Sequence, residues 1–315
     1  MTARRGQTRP TVVSQANGPP VAQPEPGGVM EKLLPEQLKD FWQAIERQEQ
    51  SVEEYTQTYE HAPEEYRHIW ARALTVDGHQ DLQESLLAEL GRYAQCKDIN
   101  EVRRRCEHAV ASVRHEWEEK VQARDRQSVE RFYDESQAML YELMWWHALG
   151  DDVSPLSYVL ALRFAQEHSC QHYLDFGSGV GSGGILFAQH GLQVALADIS
   201  SSLLRFSAWR LGMRKLSAQY IDLKLPGLPS QAFDVITAMD VFEHFSDPVE
   251  TAETLWKALK PGGFLYARIS AEVDEDRPQH IVQDFGPTFE RLQRLGLVEV
   301  WRDDWLWGHQ VFQKT

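Results

Sequence analysis

The chain has 315 residues, 42% hydrophobic and 25% charged, which is ordinary globular usage for about two domains and excludes disorder throughout. Its 47 acidic and 32 basic residues give a formal charge of −15, a surface that repels nucleic-acid backbones. Three cysteines (Cys96, Cys106, Cys170) form neither a disulfide framework nor a ligand spacing, and no apolar run nears the ~18 residues of a membrane span.

Residues 1–29 carry Arg4, Arg5 and Arg9 and then Pro19, Pro20, Pro24 and Pro26, with no hydrophobic period and no secretory segment. They read as a disordered, solvated tail, so the expectation is a cytoplasmic protein without nucleic-acid or membrane partners. Residues 30–126 read as a helical domain. Leu82, Leu86, Leu90 and Tyr93 share one helix face, and Ile99, Val102, Cys106, Ala109, Val113 and Trp117 continue in steps of three and four. Such a stripe either packs the bundle on itself or offers a surface for an oligomer or protein partner. One further helix is expected from Gln127 to Leu149, with Val129, Phe132, Tyr133, Leu140, Leu143 and His147 on one stripe. Ser154 is expected to cap the next helix, with Pro155 at its first position.

From residue 127 to 315 the rhythm changes. Apolar runs at His172–Phe176, Gln193–Ala197, Ala218–Ile221, Phe233–Ala238 and Phe264–Ile269 alternate with helical segments, which implies an α/β fold with a mainly parallel sheet. Asp247-Pro248-Val249-Glu250 carries a cap, a first-turn proline and a first-turn acid. Gly212 and Gly296 sit where helices should stop. Leu297–Arg302 and Trp305–Gln313 have no helix between them and should pair antiparallel. Strand parity would then place Trp305 and Trp307 on one face.

Between the first apolar run and its helix the chain reads Asp175-Phe-Gly177-Ser178-Gly179-Val-Gly181-Ser-Gly183-Gly184. Closely spaced glycines admit positive φ and let a ligand approach bare backbone. Gly179 to Gly184 satisfies the dinucleotide pattern G-x-G-x-x-G, a weak signal by itself. In the other frame, Asp175 stands two residues before Gly177, and its carboxylate would repel a pyrophosphate. The same carboxylate would attract a ligand that carries an ammonium group, such as S-adenosylmethionine, which also has a sulfonium and no phosphate.

From about residue 130 to 315 the sequence resembles the class I S-adenosylmethionine-dependent methyltransferases. Asp175 to Gly181 corresponds to the family's first motif, Asp198 in Val194-Ala-Leu-Ala-Asp198-Ile199 to its second-strand acid, and Asp222 in Tyr220-Ile-Asp222-Leu223 to its third-strand acid. Phe233 to Pro248 and Leu259-Lys-Pro261-Gly262-Gly263 match the fourth-strand motif and the turn before the fifth strand. The resemblance implies a doubly wound, mainly parallel seven-stranded sheet with antiparallel C-terminal strands and a helical N-terminal region. It implies S-adenosylmethionine as cofactor and S-adenosylhomocysteine as product, with Asp175, Gly177, Ser178, Gly179, Gly181, Asp198, Ile199, Asp222, Leu223, Met239 and Asp240 around it. Asp198 would accept from both ribose hydroxyls, and Asp222 would lie near the adenine.

Methyl transfer from a sulfonium is an in-line displacement, so the protein mainly aligns the nucleophile. A hydroxyl acceptor also needs a base, whereas a neutral amine needs alignment alone. By resemblance His244 and His280 are the candidate catalytic bases, His280 lying in an insertion with Glu272, Asp274, Glu275 and Asp276. Tyr133, Trp146 and Glu243 are candidates for the substrate side; Tyr133 either shields a sulfonium or packs in the core. The other histidines lack ligand spacing, and no metal is expected. The expected activity is methyl transfer to a small molecule, at oxygen rather than nitrogen. Alternatives are a protein methyltransferase that recruits its target through the N-terminal helices, or a non-catalytic cofactor-binding scaffold.

Overall fold

The computed structural model describes residues 33–76, 78–122, 125–225, 227–271, 276–281 and 284–315. The tail of residues 1–29 and Glu272, Asp274 and Glu275 of the insertion lie outside the described residues.

Six helices come first: α1 (Leu34–Glu46), α2 (Val52–His61), α3 (Glu64–Leu74), α4 (Leu82–Tyr93), α5 (Ile99–Glu107) and α6 (Ala109–Lys120). Then follow α7 (Arg126–Glu135), α8 (Ala138–His147), α9 (Ser157–Glu167), β1 (His172–Phe176), α10 (Ser182–Gln189), β2 (Gln193–Asp198), α11 (Ser201–Met213) and β3 (Gln219–Asp222). The chain ends with β4 (Phe233–Ala238), α12 (Pro248–Ala258), β5 (Leu259–Ala267), α13 (Gly286–Arg294), β6 (Leu297–Arg302) and β7 (Gln310–Lys314).

The seven strands lie in the order β3-β2-β1-β4-β5-β7-β6. Strands β1 to β5 are mutually parallel, and β7 runs antiparallel to both neighbours. The chain thus steps outward from β1 in both directions, leaving a crevice at the carboxyl ends of β1 and β4. Apolar side chains cover both faces. Tyr173 stacks on Phe187 of α10 at 3.6 Å on one side, while Leu174, Ile236 and Leu265 pack towards α12 on the other.

Several local expectations differ from the structure. The helix expected over 127–149 breaks at Ser136, whose backbone turns extended and whose Oγ accepts the Met139 N–H. The stripe from Ile99 to Trp117 likewise divides at His108 into α5 and α6. Ser154 does not cap α9; it bonds Asp152 and sits in a short 3-10 turn through Leu156. Gly212 lies inside α11, whereas Gly296 ends α13 in the left-handed region at φ 81°. Trp305 and Trp307 are not on a strand. The Asp303 carboxylate accepts from the N–H groups of Trp305, Leu306 and Trp307 and winds this segment into a loop. Asp247 does cap α12, accepting from Glu250 N–H at 2.8 Å.

Most of the apolar stripe of the N-terminal helices is buried within the chain: Leu86, Leu90, Val102, Cys106, Ala109 and Val113 are each at most 2% exposed, while Ile99 at its start is 42% exposed. A buried ionic knot ties α4 to α11. Glu89 accepts from Arg210 Nη2 at 3.2 Å and Arg214 Nη1 at 2.5 Å, and Arg214 also donates to the Leu74 carbonyl at 2.6 Å. Burial alone would raise the Glu89 pKa, but the two guanidiniums hold it below the ordinary range. No helix among the described residues is long and apolar enough to cross a membrane.

Candidate active site

A cavity of about 510 Å³ opens at the carboxyl ends of β1, β2 and β4 and is walled on the other side by α7 and α8. Its size suits a drug-sized ligand. The turn after β1 forms its floor. Gly177 at φ 74° and Gly179 at φ 50° take backbone that side chains rarely adopt, and a Cβ on Gly177 would lie 2.5 Å from Val241. The Gly177 and Ser178 N–H groups both donate to the Ala197 carbonyl, which pins the turn to the end of β2.

Asp198 stands at that strand end. Its Oδ2 accepts from Gly179 N–H at 2.7 Å and its Oδ1 from Ser200 N–H at 2.8 Å, so each oxygen keeps a lone-pair direction for another donor. Burial raises its pKa to about 6 against the opposing pull of these backbone donors. Ile199, Ile221 and Leu223 continue the wall as an apolar face. Asp240, itself at φ 49°, lines the floor beside Met239 and accepts from Arg268 Nη1 at 2.8 Å.

Gly177, Ser178, Gly179, Asp198, Ile199 and Leu223 thus meet at one cavity with Met239, Asp240, Tyr133, Trp146 and His244. Five other candidates do not line it. Asp175 is fully buried, and its Oδ1 is held by Tyr158 Oη and Thr237 Oγ1, each at 3.2 Å. Burial raises its pKa to about 7. The group supports the turn from beneath the cavity, and its buried Oδ2 has no hydrogen-bond partner among the described residues. Gly181 turns into α10 against Ser207. Asp222 lies next to the cavity-lining Lys224 and accepts from its backbone N–H and from the Ser201 hydroxyl.

Glu243 and His280 sit behind His244. The two imidazoles meet edge to face at 4.9 Å, and Glu243 is 6% exposed. His244 Nδ1 lies 3.1 Å from the Gln279 carbonyl and 3.0 Å from Tyr133 Oη. A carbonyl can only accept, so Nδ1 carries the proton and Nε2 keeps its lone pair. Burial, then the neighbouring His280, lowers the His244 pKa to about 4, so the ring is neutral at pH 7. One ligand atom from each of Glu243, His244 and His280 lies within 4.8 Å of the others. Local spacing did not reveal this grouping, because His280 arrives from the segment after β5. Tyr158 and Thr237 were also missed: no motif marks them, and only the folded chain brings them to Asp175.

Residues 174–265 match the family model described as "Methyltransferase domain". Over these residues the chain carries a methyltransferase domain. Among curated relatives of this domain, the ubiquinone biosynthesis O-methyltransferase of Coxiella burnetii is 28% identical over 149 residues, 45% of this chain and 61% of that protein. The enzyme of the same name from Albidiferax ferrireducens is 33% identical over 134 residues, 39% of this chain and 52% of that one. The matched region thus spans between about half and three-fifths of these relatives' length. Among solved structures, the methyltransferase domain is similar to phosphoethanolamine N-methyltransferase 2 of Haemonchus contortus in complex with S-adenosyl-L-methionine. That pair is 21% identical, with a TM-score of 0.44, over 54% of this chain and 44% of the other.

Proposed function

We propose that the chain transfers a methyl group from S-adenosylmethionine to a hydroxyl oxygen of a small molecule. The residues of the cavity fit that cofactor. Asp198 has one open acceptor direction on each oxygen for a pair of ribose hydroxyls. Ile221 and Leu223 offer an apolar wall for the adenine, and Gly179 leaves the floor without a Cβ. Bound there, the cofactor supplies an electrophilic methyl on a sulfonium whose departure leaves a neutral sulfide.

The observation that carries the choice of oxygen is His244. It lines the cavity as a neutral imidazole anchored through Nδ1, which leaves the lone pair of the ring on Nε2. As the acceptor oxygen forms its bond to the methyl carbon, its hydrogen passes to Nε2, so no charged oxonium has to persist. The Gln279 carbonyl and the Tyr133 oxygen then stabilise the imidazolium through Nδ1–H. His280, 4.9 Å away, aligns the ring from behind. The relatives' shared name, O-methyltransferase, supports the same choice.

His244→Ala is expected to lower labelled methyl transfer to phenolic acceptors by about 100-fold or more. Affinity for S-adenosylhomocysteine should change little, and His280→Ala should have a smaller effect. Full rates in both variants, or preferential methylation of matched anilines by the parent protein, would favour nitrogen. A rate abolished by chelation and restored by a divalent cation would instead assign Glu243, His244 and His280 to an ion.

A further inference from the structure

His147, on α8, joins none of the roles assigned above, yet it lines the cavity and is only 2% exposed. Its Nδ1 lies 2.9 Å from Ser182 Oγ, at the start of α10, and its buried Nε2 has no hydrogen-bond partner among the described residues. Taking the cofactor reading as given, we infer that His147 Nε2–H is the donor that binds the carboxylate of the cofactor's amino-acid end. We further infer that a relay from the N-terminal helices, Glu89–Arg210–Ser182, sets it in that state.

The tautomer follows from counting donors. Arg210 Nη1 donates to Ser182 Oγ at 2.8 Å and also to the Val180 carbonyl at 2.8 Å, in the glycine turn itself. A guanidinium never accepts, so the Ser182 oxygen is the acceptor in that contact. Ser182 is fully buried, and His147 Nδ1 is the one acceptor it meets among the described residues. The Ser182 hydroxyl finds its acceptor only when it donates to Nδ1, which places the histidine proton on Nε2. Burial and the Arg210 charge lower the His147 pKa to about 3, so the ring stays neutral at pH 7.

A buried N–H with no partner is costly unless a ligand or water accepts from it. The place identifies the acceptor. Leu143 and His147 share a face of α8 over the turn, and a Cβ on Gly179 would come 3.0 Å from Leu143. The ribose hydroxyls belong with Asp198 and the base with Leu223, on the β2 and β3 side. The group left for the α8 side is the amino-acid end, whose carboxylate is the anionic acceptor in the ligand. Arg210 polarises the Ser182–His147 chain towards that anion, and Glu89 keeps the guanidinium compensated in the interior.

The test compares S-adenosylhomocysteine with 5′-methylthioadenosine, which keeps the nucleoside and lacks the amino-acid end. In calorimetry His147→Phe should weaken the homocysteine ligand by about 10- to 100-fold, the worth of one hydrogen bond to a charged group. The same variant should bind methylthioadenosine within about twofold of the parent. Ser182→Ala, a smaller change, should show the same selective loss at roughly a third of its size on a logarithmic scale. Equal losses for both ligands, or none for either, would overturn the assignment. A parent protein that binds neither ligand would instead overturn the cofactor reading on which the inference rests.

Discussion

Asp198→Ala should leave the protein folded and weaken S-adenosylhomocysteine by about 100-fold. Two hydroxyl bonds to a buried carboxylate are lost, worth together about 3 kcal/mol, and 1.4 kcal/mol is a factor of ten. The substitution also leaves the Gly179 and Ser200 N–H groups without their acceptor, so a thermal melt should fall by a few degrees while the protein remains folded. The pH dependence has a definite sign. Burial raises the Asp198 pKa to about 6, and only the ionised carboxylate accepts from both hydroxyls. Affinity should therefore be constant above about pH 7 and fall as the pH drops through 6, approaching tenfold per unit. The variant should lack this dependence. Unchanged affinity in Asp198→Ala would remove the residue from the site.

The second large effect lies behind the cavity, at the outer end of the relay. Glu89→Ala should cost about 3–5 kcal/mol of stability, because Arg210 would remain fully buried without its carboxylate. For a unit of this size that corresponds to a fall in melting temperature of about 10 °C. Glu118→Ala, which removes an exposed partner of Arg114, is the control and should leave the melting temperature where it is. Differential scanning fluorimetry distinguishes the two. Equal melting of Glu89→Ala and the parent would mean that the knot between α4 and α11 does not hold the helices to the sheet.

What could be read from the sequence was local. The strands of β1, β2 and β4 announce themselves because each has four or more consecutive buried positions, most of them apolar. Asp198 and the glycine turn follow from their place at strand ends, and the Asp247 cap from chemistry confined to four residues. The misreadings have long-range or competing causes. Periodicity runs through Ser136 and His108 unbroken, but a side-chain bond and a backbone turn divide the helices there. Alternation suggested a strand at Trp305, where the Asp303 carboxylate gathers three N–H groups instead. Asp175 shows the limit most clearly. Its spacing to Gly177 is legible, but the direction of its side chain depends on Tyr158 and Thr237, which arrive from α9 and β4. Glu89, Arg210, Ser182 and His147 carry no motif, and only folding joins them.

Calorimetric titration of the intact protein with S-adenosylhomocysteine and, separately, with NAD addresses the cavity's ligand most directly. One-to-one binding of the homocysteine compound with no heat from NAD is the predicted outcome. Heat from NAD alone would contradict it and return the glycine turn to a dinucleotide.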